Sequence, residues 1–567
     1  MDRRSARLRH SDRSLPRRTA PRSCTRRVGG FLRWAQGASG ERRLMPGAIT
    51  AADAKTRVHG SGEVALLDVR EHGQFGEGHP FLAVPCPFST LEFAIGDLVP
   101  RVSVSIILID SGDGIAERCA AILTRLGYTN VSWIIDGVHG WAAAGFTLFK
   151  GVNLPSKTLG ELLEHEWHVP SIDVETLDEW RSTRTVNLFD GRPAQEFRKA
   201  SIPGARSLPN GELPHRFGKV SAGSTAPVIV HCAGRTRSIV GAAGLALAGV
   251  GNPIFALENG TQGWTLSGRK LALQNKPEAL PELDAVDLER SRASARAICS
   301  RYEIPLITRN EITALASDSD RTLYLLDVRS AEEFAAGTSP NARSAPCVQI
   351  VQATDQWVGV RRARIALTCD TGLRSAIAAT FLQALGYDVY VVPDAQPGAK
   401  PNEGPKLNSI LADVSAREAM NAVKGGAILL DARNSIVYRA GHLDGACWCI
   451  RPRLPDMQLP IDAAIFVAGE TPQAKLIADD LVEAGYTDVR LLTGSLSEWA
   501  SQGLPIVQTP KEPDDASAID FLFFVHDRHD GNMESAKRYL EWEMGLVAQL
   551  DPAERNEYRI GPSPFAR

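Results

Sequence analysis

Short apolar runs closed by an aspartate recur along the chain: Val64-Ala-Leu-Leu-Asp68, Val186-Asn-Leu-Phe-Asp190, Leu323-Tyr-Leu-Leu-Asp327 and Ile428-Leu-Leu-Asp431. An arginine stands two residues beyond each (Arg70, Arg192, Arg329, Arg433). Runs this short and this apolar read as buried strands. A helical segment bearing an aromatic follows each one, in GQF, AQEF, AEEF and SIVY. A Gly-Ala turn comes next in the second and fourth copies (IPGARSLP, HLDGACW) and is degraded in the first and third (GHPFLAVP, SPNARSAP). A second apolar strand then spans 105–110, 227–232, 364–369 and 463–468 and leads into a polar loop and a helix. A further strand follows Gly-Tyr or Gly-Val-Gly (GYTNVSWII, GVGNPIFAL, GYDVYVV, GYTDVRLL). Copies one, two and four end in a Gly/Trp segment: DGVHGW, ENGTQGW and TGSLSEW.

The spacing from the aspartate to the first loop residue is identical in three copies, Asp68 to Asp110, Asp190 to Cys232 and Asp327 to Cys369, and shorter in the fourth, Asp431 to Ala468. Such self-similarity is the mark of a repeat architecture. Strands alternating with helices predict an α/β fold, each unit a small parallel sheet flanked by helices, with reactive groups at the carboxyl ends of strands. The expected division is a basic tail over 1–44, repeats over 45–150, 165–275, 300–396 and 405–508, and a C-terminal helical extension over 515–567. The amphipathic stretch MESAKRYLEWEMGLVAQL in that extension is expected to pack on the repeats.

The 567 residues are 44% hydrophobic and 23% charged, with a net charge of −3, which speaks against a nucleic-acid partner for the whole molecule. No apolar run is long enough to span a bilayer, FLFFV included, so no membrane partner is expected. Nine cysteines, an odd number with no Cys-x-x-Cys pair, point to reduced thiols in a cytoplasm rather than to zinc or disulfides. Thirteen arginines fall in residues 1–44, without an apolar signal core. That segment reads as a disordered tail or as sequence ahead of a true start at Met45, with an organellar targeting peptide as the alternative. HDRHDG (526–531) reads as a polar turn before a docking helix and EHEWH (164–168) as a solvated helix face, so no metal and no cofactor are expected.

Cys232 carries the chemistry. It opens the loop Cys232-Ala233-Gly234-Arg235-Thr236-Arg237-Ser238, between an apolar strand and an Ala/Gly/Leu-rich helix. Unpaired N–H groups at the helix start, together with Arg235 and Arg237, favour a thiolate there. Gly234 permits backbone geometry that a side chain would forbid. His231 precedes the nucleophile on the strand and is expected to point away from it. Asp190 and Arg192 read as a structural ion pair.

In this order, the Asp-x-Arg strand, the Gly-Ala turn, the strand ending in cysteine before a Gly/Arg loop, and the Gly-x-x-x-Trp ending resemble the rhodanese family over residues 45–510. The resemblance implies a sulfurtransferase. Cys232 would take a sulfane sulfur as a persulfide and pass it to a thiophilic acceptor, a thiol or cyanide, or a protein acceptor. Residues 233–238 would bind the persulfide anion through backbone N–H groups. Arg235 and Arg237 would attract the donor, thiosulfate or 3-mercaptopyruvate, with two arginines leaning toward thiosulfate. Thr236 and Ser238 would either donate to the sulfur or cap the helix. The first copy, with Asp110 and Asp113, and the fourth, with Ala468-Gly469-Glu470, are expected to be inert. Cys447 and Cys449 are expected to be structural. The third copy keeps Cys369 and Arg374 in the pattern Cys-x-x-Gly-x-Arg-Ser, but Asp370 adjoins the sulfur and the Gly/Trp ending is lost; Cys369 is a possible second site or a structural cysteine. Four residues separate cysteine from arginine, where phosphatases of the related fold place five, so phosphatase is the weaker enzyme reading. A non-catalytic scaffold or a sulfur-relay module is the alternative from another class.

Overall fold

The computed structural model describes residues 47–393, 411–469, 471–527 and 532–566. Each repeat builds its own parallel sheet. In the second repeat the strands lie, edge to edge, in the order Ser171–Ile172, Ile254–Leu257, Val228–His231, Asn187–Asp190 and Arg206–Ser207. Val228 pairs with Asn187 and His231 with Asp190, so the two central strands finish level at their carboxyl ends. The strand Val228–His231 is buried throughout, the consequence of helices on both faces of a parallel sheet.

Every strand-end aspartate holds its arginine, at 2.6 Å for Asp68–Arg70, 2.7 Å for Asp190–Arg192, 2.6 Å for Asp327–Arg329 and 2.5 Å for Asp431–Arg433. The same guanidinium donates to a carbonyl just beyond the aromatic-bearing helix, that of Gly78, Ala200, Gly337 or Gly441. The repeated Asp-x-Arg pattern is therefore an internal brace that ties a strand end to the following turn.

The third repeat departs from its sisters. Its sheet has four strands, and the usual N-terminal edge strand is reduced to a single bridge from Leu306 to Val391. In the second repeat Trp264 covers Ile172, Leu177, Leu188 and Ile229. The matching third-repeat cluster of Ile307, Ile312, Leu325 and Ala366 has no tryptophan. A groove of about 1040 Å³ lies open over this face.

The repeats are fused. One apolar core runs through the first three. Arg374 of the third pairs with Glu212 of the second, and Arg451 of the fourth with Glu92 of the first. The C-terminal helix Met533–Met544 and the segments after it thread back over the repeats. There Glu557 takes hydrogen bonds from Arg361 and Arg362, while Gly561 O accepts from Trp167 Nε1 at 2.8 Å. The predicted α/β repeat architecture with a C-terminal helical region is what the chain adopts. Of the HDRHDG segment, residues 528–531 lie outside the described residues, as do the tail 1–46 and Glu470. Among the described residues no group of histidines, cysteines and acids is arranged to hold a metal.

Candidate active site

Cys232 follows the strand Val228–His231 directly, and Ala233–Arg235 lead into the helix Thr236–Leu247. The thiol is buried, 2% exposed, with Ser238 Oγ 3.3 Å from Sγ. His231 is fully buried on the other side, with Nε2 3.8 Å from Asp190 Oδ2 and Nδ1 3.4 Å from Cys232 O. Burial holds this imidazole below its usual pKa, against the pull of Asp190. His231 thus belongs to the brace and not to the thiol.

The Gly/Trp ending clasps the loop. Thr261 N–H donates to Cys232 O at 2.8 Å and Gln262 N–H to Ala233 O at 3.0 Å. Gly260 sits at φ 48°, where a Cβ would stand 2.2 Å from Cys232 O, so only glycine fits. The first repeat repeats the device with Gly137 at φ 53° over Asp110 O.

The loop also forms an anion cradle. Among the described residues, the backbone N–H groups of Ala233 to Arg237 donate to no protein acceptor, as expected where a helix begins. That of Ser238, grouped with them by sequence, instead donates to Arg235 O at 3.0 Å. In the first repeat the corresponding helix start holds an anion. Asp110 stands in the cysteine's place, and its carboxylate accepts from Gly112 N–H at 2.8 Å and Ala116 N–H at 3.0 Å.

Both loop arginines are already paired. Arg235 donates to Glu161 at 2.9 and 3.1 Å and also to Glu164. Arg237 forks onto Glu196 at 2.6 and 3.1 Å. The expected pair of free cations for an anionic donor is therefore not what the fold presents. Thr236 neither reaches the sulfur nor caps the helix; its Oγ1 donates to Glu543 Oε1 at 2.8 Å, and Lys157 Nζ lies 3.6 Å from the same carboxylate oxygen. Glu161 and Glu164 ride on the helix Leu154–Trp167, which crosses the loop so closely that a Cβ on Gly160 would stand 2.9 Å from Thr236 Cγ2. The segment EHEWH is thus only partly solvated: Glu164 reaches Arg235 and Trp167 is in the core, while His165, Glu166 and His168 are exposed. Glu196 sat in view within AQEF. Glu161, Glu164 and Glu543 carry no local signal, because chain-distant helices bring them in.

The third loop is built for burial. Cys369 follows Arg364–Thr368 and has no exposed surface. Arg374, also fully buried, pairs with Glu212 at 2.6 Å, Glu333 at 2.7 Å and Asp370 at 2.9 Å. The helix Ala285–Arg301 replaces the lost Gly/Trp clasp, placing Ala295 Cβ 3.4 Å from where a Cβ on Gly372 would lie. Burial raises the Cys369 thiol pKa, Arg374 opposes it and Asp370 adds to it. In the fourth repeat Ala468 ends its strand without a thiol, and Cys449 is buried in that repeat's core with Cys447 packed against it.

These features define an α/β protein of four related units, one of which carries a cysteine at a helix start with free backbone N–H groups, held in an intact clasp. The family model described as the Rhodanese-like domain matches residues 50–144, 173–267, 308–394 and 415–502, and the chain belongs to that family. Its structure is similar to a crystal structure titled thiosulfate sulfurtransferase from Pseudomonas aeruginosa, at 32% identity and a TM-score of 0.83, covering 91% of this chain and 99% of that one. A curated relative, the uncharacterized protein YibN of Escherichia coli (strain K12), is 26% identical over 104 residues, 18% of this chain and 72% of its own length. Fold, repeats and this structural neighbour together support a sulfurtransferase family.

Proposed function

We propose that the protein transfers sulfane sulfur through a persulfide on Cys232. The observation that supports this most is Asp110. A carboxylate places its oxygens one bond beyond the γ atom, where the outer sulfur of a cysteine persulfide would lie, and in the first repeat the N–H groups of Gly112 and Ala116 hold that anion. At the matching loop of Cys232 the N–H groups of 233–237 are free, Gly234 among them as the counterpart of Gly112, whereas Ser238 N–H, the counterpart of Ala116, donates to Arg235 O.

With thiosulfate as donor, the Cys232 thiolate attacks the sulfane sulfur, an S–S bond forms, and sulfite leaves with the electron pair of the broken bond. Cyanide or a thiolate then attacks the outer sulfur, leaving as thiocyanate or a new persulfide, and the Cys232 thiolate returns. 3-Mercaptopyruvate supplies the sulfur in the same sense, leaving as pyruvate once protonated. Ser238 Oγ, 3.3 Å from Sγ, orients the sulfur. The first and fourth repeats act as support, and Cys369, sealed by Arg374 and its three carboxylates, acts as a core residue. No disulfide joins the described cysteines, which suits the reducing, cytoplasmic setting proposed here.

Thiosulfate:cyanide sulfur transfer by the wild type, Cys232→Ser and Cys369→Ser tests the assignment. Loss of turnover in Cys232→Ser alone is the expected result. Full turnover in Cys232→Ser would remove the central assignment, and a wild type inactive with every sulfane donor would favour the scaffold reading.

A further inference from the structure

The loop cations Arg235 and Arg237 meet the carboxylates of Glu161, Glu164 and Glu196, while Glu543, approached by Lys157, meets the loop through Thr236. At Arg235 two carboxylates share one guanidinium, so the local charge is negative. Arg235 and Glu161 are both nearly buried, with side chains 10% and 3% exposed, so water and salt screen their pairing little. Both oxygens of Glu161 are engaged by one guanidinium, and Glu164 holds it from a second side. A dianionic donor would have to pull Arg235 away and leave Glu161 buried beside it, an unfavourable exchange. The backbone cradle at 233–237 carries no such conflict, since it serves the anion that forms on the sulfur after transfer.

Resting on Cys232 as the sulfur carrier, we propose that Glu161 and Glu164 are specificity-determining residues that select a donor of low negative charge, the persulfide of a small thiol, over the thiosulfate dianion. In that step the Cys232 thiolate attacks the outer sulfur of RS–SH. The Cys232 S–S bond forms, the RS–S bond breaks, RS⁻ leaves with its electron pair, and the proton stays on the transferred sulfur. No oxidant or reductant is consumed. The two glutamates act through Arg235: they set its availability and touch no reacting atom.

The test is single-turnover sulfur loading onto the full-length protein, read by intact mass, with thiosulfate and with the persulfide of 2-mercaptoethanol. The wild type is expected to load faster from the persulfide. In Glu161→Gln/Glu164→Gln the thiosulfate-to-persulfide ratio of loading rate constants should rise about tenfold, the scale of one charge-assisted hydrogen bond to a freed guanidinium. Glu164→Gln alone, at a partly exposed position, should move the ratio the same way if the double variant folds poorly, and Glu164→Asp should restore it. A wild type that loads faster from thiosulfate, or variants that slow both donors equally and leave the ratio unchanged, would overturn the selection. Loading that persists in Cys232→Ser would instead overturn the carrier assignment itself, so the two failures are distinct.

Discussion

Thr236 Oγ1 donates to Glu543 Oε1 at 2.8 Å, joining residues 307 positions apart. The first turn of the helix behind Cys232 is thereby held by the C-terminal helix Met533–Met544, and Leu540 and Glu543 both lie against Gly234. Glu543 is 2% exposed, so its hydrogen bonds have no solvent substitute. Thr236→Val should lower stability by about 1–3 kcal/mol and reduce sulfur-transfer turnover, while Thr236→Ser should stay near wild type. Denaturant unfolding and the transfer assay check this; a Thr236→Val protein as stable and active as wild type would remove the role given to the C-terminal helix.

Arg374, buried among three carboxylates, anchors the third loop. Replacing it with methionine keeps the volume but leaves Glu212, Glu333 and Asp370 without their shared cation. A loss of about 3–5 kcal/mol is expected. Because Glu212 belongs to the second repeat, the unfolding midpoint of the whole molecule should fall. A change under about 1 kcal/mol would show that the cluster contributes nothing net.

Asp110 satisfies two N–H groups that the missing thiol would otherwise face. Asp110→Ala should destabilise the protein by about 1–3 kcal/mol without altering transfer at Cys232, whereas Asp110→Asn, which keeps an acceptor oxygen, should cost less. Calorimetric melting together with the transfer assay separates the two effects.

Glu71 gives the stability a pH dependence. Burial pushes its carboxyl up to about 7, against the hydrogen bond from Ser89 N–H and the attraction of Arg451, with Asp520 adding to the rise. The folded state therefore binds this proton more tightly than the unfolded chain does. Its contribution is fully present below the ordinary carboxylate value and is lost as pH rises through about 7, a loss of up to about 3 kcal/mol. Glu71→Gln should flatten this part of the stability–pH curve. Parallel curves for variant and wild type across that window would refute the assignment.

Much of this molecule is readable from local pattern. Four apolar strands ending in Asp-x-Arg, the loop opened by Cys232, and Gly260 in its closing segment each depend on residues a few positions apart, so backbone sterics, strand burial and the helix start act within reach of one motif. The pairing of Asp190 with Arg192 and the turning away of His231 follow from the same short-range geometry. The loss of the Gly/Trp ending in the third repeat was also visible, while the open face beside it emerged only in the structure.

The charge at the thiol was not readable in this way. Arg235 and Arg237 look like two free cations in sequence, and their local helix-start setting gives no reason to think otherwise. Only the crossing of the helix Leu154–Trp167 over the loop at Gly160, and the return of the C-terminal helix to Thr236, bring Glu161, Glu164 and Glu543 to the loop. Sequence alone determined the fold and singled out Cys232 as the residue to which the proposed sulfur chemistry is assigned. Tertiary packing decided how much charge that residue sees, because Coulomb interactions in a buried site depend on distances in space that no spacing along the chain encodes.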